Sequence, residues 1–78
     1  LVPNPVVDIA YLEIQSNREV SYTYQIVDMM GRNVSQGKIQ VNNELKQVPF
    51  VISHLPNGFY SMQIQWQDGM KSINFMKL

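Results

Sequence analysis

The sequence predicts an all-β fold, and three observations support this. Turn-forming residues recur at short, nearly even intervals along the 78 residues, which is typical of successive strands. Between the turns, apolar and polar residues alternate, and this period of two predicts strands with one buried face. No window of eleven residues shows helical periodicity, so a second sheet is expected to cover the first. We therefore expect a small antiparallel β-sandwich of about six or seven strands with immunoglobulin-like connections.

The alternation is clearest in the first half of the chain. One run has apolar residues at Ala10, Leu12 and Ile14, and a second alternates from Val20 to Ile26. These runs are rich in β-branched and aromatic residues, which favours sheet over helix. We expect turns at Ser16-Asn17-Arg18, Met30-Gly31-Arg32, Asn42-Asn43-Glu44, Pro56-Asn57-Gly58 and Asp68-Gly69. Because the chain contains no low-complexity linker and no internal repeat, residues 1–78 are expected to form a single domain.

The last hairpin can be predicted in detail. Asp68-Gly69 is a dipeptide that favours a two-residue type I′ turn, in which both residues have positive φ. Such a turn places Gln67 opposite Met70, and therefore Ile64 opposite Ile73. The same register pairs Met62 with Phe75 and Trp66 with Lys71. One face of the hairpin is then mostly apolar and the other polar, as expected for two strands lying on a core.

Composition excludes several classes of function. Six Lys and Arg residues balance six Asp and Glu residues, so no basic field is present to bind a phosphate backbone, which argues against nucleic acid as a partner. Without cysteine there is no disulfide, no thiolate metal site and no thiol nucleophile. Leu1 starts directly in a proline-containing stretch without a basic segment and an apolar core. We therefore expect any signal peptide to lie on sequence outside this chain.

Catalytic and metal-binding residues are not found in a recognisable arrangement. His54 is the one histidine, and it precedes Leu55-Pro56 at a predicted junction between a strand and a turn. No G-x-S-x-G motif accompanies it, so we interpret His54 as a loop residue. The carboxylates are scattered over separate elements without the spacing of a calcium loop. We expect no enzymatic activity, no cofactor and no metal site.

Asp28 and Gly31 are predicted to shape a turn. Asp28 is in phase with the inward-facing residues Tyr24 and Ile26, but it stands just before Met29-Met30-Gly31-Arg32. A carboxylate at this position can accept hydrogen bonds from the backbone amides of the turn, and Gly31 can adopt positive φ at little cost. We favour this structural interpretation over a ligand-binding role.

Two aromatic residues are also assigned structural roles. Tyr60 follows Leu55-Pro56-Asn57-Gly58-Phe59, a pattern like a corner in which a tyrosine hydroxyl bonds backwards across a sandwich turn. Trp66 could bind a sugar or a partner if it were exposed. Its phase with Met62 and Ile64 favours burial in the core.

Taken in order, the short motifs of this chain resemble those of one known family. They are Leu1-Val2-Pro3-Asn4-Pro5 with Asp8, Asp28-Met29-Met30-Gly31-Arg32-Asn33-Val34, Leu55-Pro56-Asn57-Gly58-Phe59-Tyr60 and the closing Phe75-Met76-Lys77-Leu78. The family is the type A C-terminal sorting domain of the type IX, or Por, secretion system of Gram-negative bacteria. The resemblance covers essentially the whole chain.

This resemblance implies a module at the C-terminus of a larger exported protein. The outer-membrane translocon would recognise it after the attached cargo has reached the periplasm, and a sortase-like protease would remove it as the cargo is released or attached to the cell surface. Candidates for recognition by the translocon are Lys71, Lys77 and Leu78. Residues that match the family motifs and are assigned structural roles are Pro3, Asn4, Pro5, Asp8, Asp28, Gly31, Arg32, Leu55, Gly58 and Tyr60.

An alternative function remains open at this stage. A small sandwich without an active site could also be a fibronectin-like spacer or a carbohydrate-binding adhesion module. The sorting interpretation requires Lys77 and Leu78 to be terminal and approachable without unfolding, whereas a spacer does not. In either case Ile9 and Tyr11 are out of phase with the inward-facing residues of the first strand, so we expect an apolar outer face that pairs weakly with a second copy.

Overall fold

The computed structural model describes residues 5–78, and these form four β-strands and no helix. The strands are β1 (Ile9–Asp28), β2 (Asn33–Val51), β3 (Gly58–Trp66) and β4 (Gly69–Lys77). They make one antiparallel sheet in the order β2-β1-β3-β4. The all-β prediction is confirmed. The prediction of six or seven strands in an immunoglobulin-like sandwich is not, because several predicted turns lie inside long strands.

Two of those turns form a β-bulge in the β1–β2 hairpin. Ser16 is opposite Glu44 and Glu19 is opposite Asn42, so two residues of β1 face one residue of β2. The polar residues on which the turn predictions rested shape the bulge instead. Ser16 Oγ accepts from the amide of Arg18 and donates to its carbonyl oxygen, while Asn43 takes a positive φ of 49°. The predicted turns at 16–18 and 42–44 are therefore wrong, since the strands bend there instead of reversing.

The hairpin folds back over the rest of the sheet. A straight strand with the 20 residues of β1 would be roughly 66 Å long, but the longest extent of the molecule is 36 Å. The bend brings Phe50, near the end of β2, into an edge-to-face contact with Tyr24 of β1, with ring centroids 4.9 Å apart. The apolar face is thus covered by the ends of the same two strands, which remain hydrogen-bonded members of one sheet.

One hydrophobic core results from this folding. Its most completely buried side chains come from β1, β2, β3, the segment before β1 and the loop after β2, and they are Ile26, Ile52, Met62, Val6 and Val41. Phe75 supplies the contribution of β4, and Trp66 is half-buried against the same cluster beside Tyr22. Trp66 therefore faces the core, as its phase predicts.

The last hairpin has a different register from the predicted one. Trp66 is opposite Gly69, so the loop consists of Gln67 and Asp68, neither of which has positive φ. In consequence Ile64 faces Lys71, not Ile73, and the predicted type I′ turn is wrong. Two contacts accompany this register: the Asp68 carboxylate pairs with Arg18, and the Trp66 ring lies over Gly69. The shift is two residues, so every side chain keeps its predicted face.

Candidate recognition surface

The end of β4 is tied to the amino-terminal segment. The amide of Val6 donates to the carbonyl oxygen of Met76 at 2.7 Å, and the amide of Leu78 donates to the carbonyl oxygen of Val6 at 2.8 Å. These bonds make a parallel bridge between Val6 and Lys77. Val6 has no exposed surface. The first and last described parts of the chain therefore stabilise each other.

Lys77 and Leu78 differ in exposure. Lys77 is only 6% exposed, because it shares the core-facing side of β4 with Phe75, and its Nζ donates to the backbone oxygen of Leu78 at 2.7 Å. The expectation that both residues can be approached without unfolding is wrong for Lys77. Leu78 is 49% exposed and remains accessible. Direct recognition at this end would thus reach the leucine first.

The beginning of β4 is more open. Lys71 is exposed and lies opposite Ile64, and it makes no ion pair with any residue in the part of the chain that the structure describes. On the other face Met70 is 62% exposed, and Ser72 and Asn74 are also exposed. Of the three predicted recognition residues, Lys71 and Leu78 are therefore at the surface, at opposite ends of the strand.

The turn after β1 is built on Asp28. Its Oδ1 accepts hydrogen bonds from the backbone amides of Met30 at 2.9 Å and Arg32 at 3.0 Å, while its Oδ2 pairs with Arg32 Nε at 2.9 Å. The amide of Arg32 is the main cause that lowers the pKa of the Asp28 carboxyl below its usual 3.8, against an opposing effect of burial. Gly31 has φ of 81°. The predicted hydrogen bonds and the predicted positive φ are confirmed.

The predicted tyrosine corner is confirmed as well. The hydroxyl of Tyr60 donates to the carbonyl oxygen of Pro56 at 2.6 Å, which ties the start of β3 to the loop before it. Leu55 is buried in that loop, and Gly58 starts the strand with φ of 154°, a conformation that favours glycine. The Tyr60 ring also stacks on Phe75 of β4.

The structure brings the sequence motifs together at one end of the sheet. Asp28 is opposite Tyr60, and Tyr60 is opposite Phe75. Two residue pairs further along, Gly58 is opposite Lys77, which is bridged to Val6. Three motifs that are far apart in sequence thus meet where β1 and β4 end and β3 begins, next to Val6 of the amino-terminal segment. Their hydrogen bonds serve the fold at this end.

The remaining predicted residues take no part in these pairings or lie outside the residues that the structure describes. Pro5 and Asp8 are exposed, and the carbonyl oxygen of Asp8 accepts a hydrogen bond from the amide of Ile52. Pro3 and Asn4 lie outside the described residues. Val6 was missed in the sequence, although its apolar side chain directly after Pro5 is a signal that could have been used. No sequence signal indicated the pairing of Arg18 with Asp68, which depends on the bend of β1.

His54 is an exposed loop residue, as interpreted from the sequence. Across residues 5–78 no three His, Cys, Asp or Glu side chains come close enough together to hold a metal ion. A membrane-crossing helix is likewise not found in this described part.

These features define a class of protein: a small all-β module. Motifs that are distant in sequence stabilise one end of its sheet, and part of its last strand is exposed to a partner. The chain matches, over residues 1–77, the family model described as the secretion system C-terminal sorting domain. It belongs to this family, and it is a C-terminal sorting signal of type IX secretion. Neither a curated protein nor a solved structure matches it.

Membership of the family favours sorting over the main functional alternative. A type IX sorting domain interacts with the secretion machinery, carries a cargo attached upstream, and gives that cargo a cell-surface or secreted fate. The alternative of a fibronectin-like spacer or an adhesion module is not favoured by the match.

Proposed function

We propose that residues 1–78 are one domain at the C-terminus of a larger exported protein, and that the domain takes its cargo from the periplasm across the outer membrane. The partner would be the outer-membrane translocon of the type IX system, and a sortase-like protease would then remove the domain. The observation that carries this proposal is the family match over residues 1–77. In this role the domain is the substrate of the protease and has no catalytic activity itself.

The surface that we assign to recognition is β4. Support comes from the exposure of Lys71 at its start and of Leu78 after its end. Lys77 has a different role in this proposal, because a partner cannot contact a buried side chain directly. Its side chain is 6% exposed on the core-facing side of β4, so its substitution would act through the fold.

We also propose that the bent β1–β2 hairpin takes the place of the second layer of an immunoglobulin-like sandwich. The support is the contact between Phe50 and Tyr24 across the core, together with the single apolar cluster that both parts share. A domain built in this way presents β4 at one side of the sheet, where a partner can approach it.

The test is an export assay. The chain is fused behind a fluorescent reporter that carries an inner-membrane signal peptide, and the fusion is produced in a bacterium with a working type IX system. We expect the reporter outside the cell or on its surface. Residues appended after Leu78, or deletion of 71–78, should leave it in the periplasm. A folded, intact fusion that stays in the periplasm would contradict the proposal.

A matched pair of lysine variants separates recognition from general surface charge. Lys71→Gln should lower export several-fold, because it removes an exposed charge from β4. Lys38→Gln removes an exposed lysine from β2 and should leave export unchanged. The amount of released reporter is measured by fluorescence, and equal export by both variants would exclude Lys71 from recognition.

A further inference from the structure

The outer edge of β4 contains backbone groups that can pair with another strand. The carbonyl group of Met76 and the amide of Leu78 both bond to Val6, which lies on the side of β4 away from β3. These backbone groups therefore point away from β3. Backbone groups alternate in direction along a strand, so the N–H and C=O groups of Met70, Ser72 and Asn74 point the same way. No strand pairs with this edge in the part of the chain between residues 5 and 78.

The described part of the amino-terminal segment, which begins at Pro5, does not fill the edge. Val6 forms a single bridge at Lys77, and the chain bends at Pro5 before it and at Val7 and Asp8 after it. The bridge nevertheless demonstrates that this edge accepts an extended segment. The stretch from Met70 to Asn74 has neither a proline nor a bulge, so the charge of Lys71 is its one usual protection of an edge strand.

The side chains along this edge indicate the chemistry of the missing strand. Lys71 and Ile73 lie on the same face of β4, two residues apart, the first exposed and the second half-buried. An added strand would lay its own side chains beside them at the same period of two. An acidic residue next to Lys71 and an apolar residue next to Ile73 would complement this face.

We propose that the Met70–Asn74 edge of β4 binds an extended segment of a partner protein by strand addition, with an acidic and an apolar residue two positions apart beside Lys71 and Ile73. This inference rests on the proposed function in one respect, since it takes the partner to be a component of the secretion machinery. Main-chain hydrogen bonds supply the affinity in such a complex, and the alternating side chains supply the specificity.

A second copy of the chain fits this edge less well. Two β4 strands that pair about Ser72 would place Lys71 of one copy beside Ile73 of the other. The strand Gly69–Lys77 has the sequence GMKSINFMK and contains no acidic residue. A second β4 therefore offers no carboxylate to Lys71, whereas a partner segment of the stated chemistry does.

The first test uses a peptide and the isolated chain. The probe is an end-blocked peptide of sequence Thr-Asp-Thr-Val-Thr-Val-Thr, and the control has Lys in place of Asp. Amide hydrogen exchange of the chain is followed by NMR. We expect the probe to slow exchange at Ser72 and Asn74 about tenfold more than the control does, and to leave Ile73, whose amide points to β3, unchanged. Equal effects of the two peptides, or no effect of the probe, would overturn the proposal.

The second test uses variants in the export assay. Ser72→Pro removes an outward N–H while leaving the bonds to β3, a change that edge strands tolerate. Ser72→Ala is the matched control, since it removes only the hydroxyl. We expect a several-fold loss of export for Ser72→Pro alone, with native Trp66 fluorescence in both variants. If Ser72→Pro does not fold, the peptide measurement decides.

The outcomes distinguish the two proposals. A wild-type fusion that is not exported contradicts the proposed sorting function, whatever the variants do. A wild-type fusion that is exported together with an equally exported, folded Ser72→Pro variant overturns the strand-addition proposal alone. A wild-type dimer in sedimentation that Ser72→Pro abolishes would assign the edge to a second copy and would also overturn it.

Discussion

At the scale of single residues, this protein uses polar groups to hold turns. The Asp28 carboxylate accepts three hydrogen bonds within the five residues that end at Arg32, and the Tyr60 hydroxyl ties β3 to the preceding loop. Neither side chain needs a ligand to explain its position. Both roles follow from local sequence, because the donor and acceptor are at most four residues apart.

We expect Gly31→Val to lower the free energy of unfolding by about 1–3 kcal/mol, since a β-branched residue at φ of 81° is strained. No atom lies within 4 Å of the position that a Cβ would occupy, so the loss would arise from the backbone and not from a clash. Gly31→Asn should cost less, because asparagine tolerates this region. Urea unfolding followed by Trp66 fluorescence measures both, and a Val variant as stable as wild type would refute the argument.

The Asp28 carboxyl predicts a specific dependence of stability on pH. Its pKa is lower in the folded chain than the usual 3.8, mainly through the Arg32 amide, so ionisation of the carboxyl favours the folded state. The stabilisation is complete above about pH 5 and is lost as the pH falls through the folded-state pKa. The difference in urea midpoint between wild type and Asp28→Asn should therefore shrink as the pH is lowered from 5. A constant difference down to pH 2 would contradict this.

At the scale of elements, the two long strands decide the architecture. The bulge between Ser16 and Glu19 lets β1 and β2 bend while they stay paired. A hairpin that bends in this way can cover its own apolar face, which removes the need for a separate sheet. The amino-terminal segment completes the arrangement by bonding to the end of β4 through Val6.

Substitution of Val6 tests that connection. Val6→Ala should lower the free energy of unfolding by about 2 kcal/mol, because two fully buried methyl groups are removed and a cavity remains. Val7→Ala is the matched control: its neighbouring side chain is 55% exposed, and it should change stability by less than about 0.5 kcal/mol. Equal effects in urea unfolding would show that the Val6 contact adds nothing to the fold.

At the scale of the whole molecule, apolar residues remain on the outer surface of the bent hairpin. Ile9 is 37% exposed opposite Val51, which is 62% exposed, and Val7 lies nearby in sequence. Tyr11, the other residue expected on this face, is half-buried. The apolar outer face predicted from the sequence is therefore present in part, and self-association stays a prediction.

Sedimentation velocity tests this prediction. We expect a weak dimer whose fraction rises with concentration and which Val51→Thr weakens. Leu45→Thr is the control, since Leu45 is equally exposed but lies roughly 20 Å away along β2. A chain that stays monomeric at high concentration would exclude an interface on this face.

Local sequence determined the features that depend on neighbouring residues. Alternation assigned the buried face of β3 and β4 correctly, because side chains alternate whatever the register. The Asp28 turn and the Tyr60 corner were also predictable, since their hydrogen bonds span four residues or fewer. The order of the short motifs indicated the sorting family, which the family match confirms.

Only the tertiary structure decided how these pieces combine. A polar triplet such as Ser16-Asn17-Arg18 can form either a chain-reversing turn or a β-bulge. Here it forms a bulge, because Glu44 and Asn42 of β2 lie opposite Ser16 and Glu19 and keep the two strands paired on both sides of it. The register of the last hairpin likewise places Asp68 beside Arg18, which lies fifty residues earlier in the sequence. Burial of Lys77 and Val6 requires the two ends of the chain to meet. Long-range contacts of this kind are stabilised by burial of the whole core. Because the core residues come from distant parts of the chain, no short stretch of sequence determines these contacts.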